Sequence, residues 1–268
     1  MFGSLHQKYI QNTPQYLRSG GFANEAAFVQ ANIEQLKSAV VSPDSDYANL
    51  VIPKQYIPTF LRSVIGGSSI GKWEHIQPDN IPGVIDTFVR WVAANIVHVN
   101  YRYADVATQD WYNLALAAWP TNRQTALWHL GRACHLVEDI CVPHHTSLRG
   151  AFAEIYNIII DKSTSQDAYE LYCEKMYTPP SMKYNLSVLF NIHNEVLSTA
   201  AQARTYMDLC DGITLPSWMA QSRFKDMYYA LNRSWREDFY TCANFSNNKA
   251  QENTVRLIHT FLRAVNFV

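Results

Sequence analysis

The chain contains no run of about 18 or more apolar residues, so the sequence offers no candidate transmembrane helix. Its start, Met1-Phe2-Gly3-Ser4-Leu5-His6-Gln7-Lys8, lacks the apolar core of a secretory leader. Either the protein is not exported by that route, or it is numbered from a processed end, in which case it is secreted or exported. An excess of either charge is also missing. Twenty-two Lys and Arg stand against 23 Asp and Glu, a formal net charge of −1. That balance gives no global basic footprint and argues against a nucleic-acid partner, although a metal site could bind phosphate locally. The five cysteines (Cys134, Cys141, Cys173, Cys210, Cys242) include no CxxC pair and cannot all pair with one another. They read as small buried hydrophobes, with one disulfide compatible with the count. No internal repeat, low-complexity tail or charge block marks a second domain.

What the chain does have is core material. Hydrophobic residues make up 48% of its 268 positions and charged residues 17%. Twelve Phe, sixteen Tyr and seven Trp imply bulky packing and an aromatic-lined pocket. Helical periodicity dominates. Segment 24–40 opens on an Asn cap and places Ala27, Phe28, Ile33 and Leu36 near one face. Segment 82–98 begins with Pro82, which suits a first helical turn. Segments 109–118, 122–141, 150–161, 185–208, 217–237 and 249–266 read the same way. Loops are marked by Pro43, the Gly66-Gly67-Ser68-Ser69 run, Pro78, Pro143, the Pro179-Pro180 pair and Pro216. The sequence therefore predicts one all-α domain over residues 1–268.

The informative stretch is 128–146, WHLGRACHLVEDICVPHHT. Leu127, Leu130, Cys134, Val137 and Cys141 recur at three- and four-residue steps and form a core stripe. Beside it runs a second stripe of Trp128, Gly131, His135 and Asp139. His135 and Asp139 are one helical turn apart, so imidazole and carboxylate share a side where both could grip one cation. Pro143 ends the helix and His145 follows close behind. An ionised Asp139 on so apolar a helix would be costly alone, and a divalent cation would offset that cost. The alternative is a surface or outer-shell pair. The small Gly131 lets another segment approach this face. The remaining histidines carry structural expectations: His193 and His259 as hydrogen-bonded core residues, with Arg132 and Glu138 on a solvated helix surface.

The frame Leu130-Gly131-x-x-x-His135-x-x-x-Asp139-x-x-x-Pro143-x-His145 resembles the core motif of the bacterial zinc-dependent phospholipases C, the family of the clostridial alpha-toxin catalytic domain. Ala115-Leu116-Ala117, Trp119, Asn122 and Gln124 resemble the helix hairpin that precedes it. The resemblance implies a mostly helical fold and one to three Zn2+ ions that bind a phosphodiester and activate a water. By it, His135 and Asp139 are ligands of the first zinc, with Asp139 bridging to another, and His145 is a ligand of the second. His6 is similar to a histidine that opens the family's first helix. His75, in His75-Ile76-Gln77-Pro78-Asp79, matches the upstream zinc histidine, with His98 as its rival. Glu154 is similar to the carboxylate that completes the second zinc.

The departures are as specific as the matches. The family's N-terminal Trp has no counterpart at Met1 or Phe2, and Gly150 or Ala151 stands where a histidine is expected one turn before Glu154. No Asp lies between Ser63 and Trp73, where the catalytic Asp is expected; Asp79 and Glu74 are its substitutes, with Asp46 more distant. Trp128, Tyr101 and Tyr103 are either pocket walls or ordinary core and surface aromatics. Three readings follow. The chain is a phospholipase C that hydrolyses the glycerol-side phosphate ester, meeting phospholipid head groups at a membrane surface. Alternatively it is an S1/P1-type nuclease, or a non-catalytic descendant acting as a binding or assembly protein.

Overall fold

A computed structural model describes residues 3–47, 103–146, 165–181, 183–210 and 233–267. The helix expected over 82–98, the one over 150–161 and most of that over 217–237 lie outside these residues, as does Tyr101. The described residues are mostly helical and carry no strand, as the periodicity requires. In chain order they form α1 (Gly3–Ser19), α2 (Ala23–Ala31), α3 (Ile33–Tyr47), α4 (Ala104–Ala118) and α5 (Arg123–Asp139). A 3-10 turn at Pro143–His145 follows, then α6 (Ser165–Met176), α7 (Ile192–Arg204), a single turn Met207–Cys210 and the long α8 (Arg233–Ala264).

Helix α5 is the centre of the packing: α3, α4 and α8 all lie against it, and α1 lies against α3 and α8. Every residue from Leu130 to Thr146 is buried. The helix starts where Asn122, extended at φ −148° and ψ 94°, accepts a hydrogen bond from the Thr125 amide at 3.0 Å. Asn122→Ala removes that cap and is expected to lower stability by about 1 kcal/mol, read as a shift in the urea midpoint at unchanged m-value. Small residues on α4 (Ala104, Ala107, Ala115), all fully buried, let it approach α5. On α8, Val255, Leu257, Ile258, Phe261 and Leu262 complete the main apolar cluster. A second cluster gathers Leu5, Tyr9, Cys141, Val142, Tyr169, Cys173 and Phe239. Helix α1 contributes to both, and the residues just past the end of α5 pass from the first to the second, so the polar side chains there sit at the junction of two dry cores. The cysteines described (Cys134, Cys141, Cys173, Cys242) are buried free thiols.

Several boundaries differ from those predicted. Segment 24–40 divides at Asn32, whose amide is shared between the Phe28 and Val29 carbonyls and whose side chain also bonds the Phe28 carbonyl at 2.8 Å. Such local bonding competes with helix continuation. Asn24 is inside α2, whose flanking residue Phe22 makes no side-chain cap. Pro43, expected in a loop, lies inside α3. Proline takes away one amide donor from the helix, and here the Ser42 hydroxyl donates to the Ala39 carbonyl at 2.8 Å, supplying the partner that position 43 cannot. Helix α7 begins only at Ile192, capped by Asn191, rather than at 185. Helix α1 escaped the periodicity because His6, Thr13 and Pro14 interrupt its buried stripe of Leu5, Tyr9, Ile10 and Leu17.

Candidate metal centre

Two helices approach each other closely enough to build the site because α5 has no side chain at Gly131. A Cβ there would lie 2.4 Å from Ala39 Cβ and 3.1 Å from both Ala39 C and Val40 N. The bare contact brings the α3 backbone against α5, and His135, one turn on, bonds through Nδ1 to the Val40 carbonyl at 2.7 Å. A carbonyl can only accept, so Nδ1 carries the proton and Nε2 of the neutral ring presents a lone pair. That Nε2 lies 3.0 Å from Asp139 Oδ2 and 3.7 Å from Asp44 Oδ1.

His6 on α1 arrives from the other side in the same posture. Its Nδ1 faces Glu138 Oε2 at 2.5 Å, and its Nε2 lies 3.3 Å from Asp139 Oδ1, a charge contact without an aligned hydrogen bond. The His6 and His135 rings stack with centroids 4.2 Å apart. Ligand atoms of His6, Asp44 and His135 all fall within 4.8 Å of one another. His6, His135 and Asp139 are buried, whereas the Asp44 side chain is 47% exposed, so the cluster opens toward solvent on the Asp44 side.

The electrostatics show what the cluster needs. Burial lowers the His6 pKa, but the Asp139 and Glu138 carboxylates outweigh it and raise the pKa to about 9. Burial works to raise Asp139, yet positive charge on His135 and His145 helps hold it well below the usual carboxylate range. Asp44 is likewise lowered, against burial, mainly by His135. Two imidazole lone pairs and two ionised carboxylates facing one point repel unless positive charge lies between them, as protons or as a cation. With both Nδ1 atoms anchored and both Nε2 atoms directed inward, the donor set fits a divalent metal ion. Beside it, His145 Nε2 lies 3.3 Å from Glu170 Oε1 on α6. Despite burial, that contact helps keep the Glu170 carboxyl far below its ordinary value.

The fold is similar to that of part of a clostridial alpha-toxin. The alpha-toxin of Clostridium absonum superimposes with a TM-score of 0.61 over 97% of this chain and 63% of that one, at 16% identity. The alpha-toxin of Clostridium perfringens isolated from avian strain SWCP gives a TM-score of 0.47 at 18% identity, over 98% of this chain and 62% of that one. The chain thus spans somewhat under two thirds of the length of the toxins it resembles. No family model and no curated protein matches the sequence.

Of the residues singled out by sequence, the structure brings His6, His135 and Asp139 into one cluster and sets His145 beside it. His75, Glu74, Asp79, His98 and Glu154 lie outside the described residues. Sequence reasoning missed Asp44, Glu138 and Glu170. The signal for Asp44 was its position one helical turn after Val40, hidden because Pro43 was read as a break. Glu138 and Arg132 were expected in solvent; both are buried, because other helices enclose α5. Arg132 stacks over Trp111, 4.2 Å from the ring centroid, and reaches Ser42 Oγ at 3.4 Å. His193, expected in the core, is 62% exposed and pairs with Asp105 Oδ2 at 3.1 Å. His259 is the buried, hydrogen-bonded residue expected, with Glu25 Oε2 at 2.6 Å.

Proposed function

We propose that the chain is a zinc-dependent phosphodiesterase of phospholipase C type, hydrolysing the glycerol-side phosphate ester of a phospholipid. The observation that supports this most directly is the convergence of His6 Nε2, His135 Nε2, Asp139 and Asp44, within an alpha-toxin fold. In this reading His6, Asp44, His135 and Asp139 hold zinc, and His145 with Glu170 serves a neighbouring position. His75 and Glu154 remain sequence-based candidates for further ligands. Zinc, when bound, supplies Lewis acidity toward a phosphate ester. The chain's own part is to fix the imidazoles through Val40 and Glu138, to keep Asp139 ionised in a dry setting, and to leave Asp44 open to the substrate side. Asp79 and Glu74 are the proposed carboxylates for orienting the attacking water. The encounter with phospholipid is proposed to be peripheral; among the described residues no helix is long and apolar enough to cross a membrane.

The purified chain is expected to carry one to three zinc ions by elemental analysis and to release a phosphorylated head group from phospholipid vesicles. A chelator should abolish release, and added zinc should restore it. Single-stranded nucleic acid, assayed in parallel, is expected to remain intact; its cleavage would instead favour the nuclease reading. A chain with neither metal nor turnover, in which His135→Ala folds normally, would sink both enzymatic readings and leave the binding protein.

A further inference from the structure

Glu138 is an unexpected residue for the inside of this protein. It is fully buried on α5, next in sequence to Asp139, where the helix is enclosed on every side. An isolated carboxylate there would be costly. Both its oxygens are nevertheless engaged, and on different helices. Oε2 faces His6 Nδ1 on α1 at 2.5 Å, and Oε1 accepts from Thr254 Oγ1 on α8 at 2.6 Å. Thr254 is itself fully buried, and its one hydroxyl proton is shared between Glu138 Oε1 and the Ala250 carbonyl, 2.8 Å away.

We infer that Glu138 is a positioning residue for cation binding: it holds the His6 ring by Nδ1, fixes the tautomer that leaves Nε2 to the cation, and makes that nitrogen a stronger donor. The inference rests on the proposal that the cluster binds a divalent cation. Two observations and one general rule of hydrogen bonding carry it. His6 lies on a different helix from His135 and Asp139, so its ring direction is not fixed by the geometry of α5. His135 achieves the same posture by other means, through the Val40 carbonyl on α3. When ionised, the Glu138 carboxylate polarises the imidazole N–H more strongly than a neutral carbonyl would, which strengthens Nε2 of His6 as a donor. The consecutive pair Glu138 and Asp139 therefore grips one ring from both nitrogens, with Glu138 on Nδ1 and Asp139 beside Nε2. Thr254 ties the gripping carboxylate in turn to α8, so three helices set the direction of one nitrogen.

The test is zinc affinity of the full chain, measured by competition with a chromogenic chelator, together with melting temperature with and without zinc. Glu138→Ala is expected to weaken zinc binding about 100-fold, and Glu138→Gln, which keeps an acceptor for the Nδ1 proton but loses the charge, about tenfold. Thr254→Val should produce a smaller loss of the same kind. A residue important only for folding would lower the melting temperature equally with and without zinc; here the rise in melting temperature caused by zinc should itself shrink. If Glu138→Ala does not fold, the isosteric Glu138→Gln decides. Either folded Glu138 variant binding zinc as tightly as wild type overturns the inference while leaving the metal site standing. A wild-type chain that binds no zinc overturns both.

Discussion

Gly131→Ala is expected to destabilise the protein by about 1–3 kcal/mol, the range for forcing one extra carbon into a packed interior. The added methyl would meet Ala39 Cβ at 2.4 Å and the backbone of Ala39 and Val40 at 3.1 Å. A flexible side-chain end can swing away from such a contact; a methyl on a helix and the main chain cannot. The α3–α5 separation must therefore widen. The effect reaches the site because Val40, pushed directly, supplies the carbonyl that holds His135 Nδ1. Loss of zinc affinity should accompany the loss of stability, although the substitution touches no charged atom. Chemical denaturation and zinc competition measure the two. In a Gly131→Ala background, Ala39→Gly removes the shortest contact but not the two backbone contacts, so it should restore stability in part. Simple additivity of the two substitutions would refute the contact as the cause.

The same glycine shows why α5 was legible in the sequence and its surroundings were not. The features that specify α5 are local: an Asn cap, a three-and-four stripe of Leu and Cys, and His135 and Asp139 one turn apart. Helical geometry alone then places those two side chains together. Asp44 required a different inference, that α3 continues through Pro43, and this depends on one hydroxyl, Ser42 to Ala39, that a propensity rule does not consider. Glu138 was hidden by the amphipathic rule itself. A polar residue off the core stripe faces water only where the helix has a wet side, and α5 from Leu130 onward has none. His193 failed in the opposite direction, since an apolar neighbourhood in sequence did not become one in space. Its segment starts the helix only at Ile192, which turns the next residue outward to Asp105. Glu170 lies beside the stripe of Tyr169, Tyr172 and Cys173, on a helix too short for the periodicity to single out, and its closeness to His145 arises from tertiary packing.

Asp139→Ala is expected to have the larger consequence for the metal site. Asp139 sets a carboxylate oxygen beside each of the two Nε2 atoms, 3.0 Å from His135 and 3.3 Å from His6. Its replacement leaves His135 with Asp44, at 3.7 Å and half exposed, and leaves His6 with Glu138 on its far nitrogen. Zinc affinity should fall by more than about 100-fold, beyond the loss typical of removing an outer partner. Without metal, the cost is that of breaking a buried charge pair, about 3–5 kcal/mol, and the lower end is expected because Glu138 still accompanies His6. Asp139→Asn separates the two contributions. It preserves shape and packing, so metal-free stability should lie nearer wild type, but a neutral amide cannot replace the anion and zinc binding should remain lost. Denaturation in chelator measures the first quantity and zinc competition the second. If Asp139→Asn binds zinc as the wild type does, Asp139 is not a ligand, and the cluster would have to bind its cation through His6, Asp44 and His135 alone.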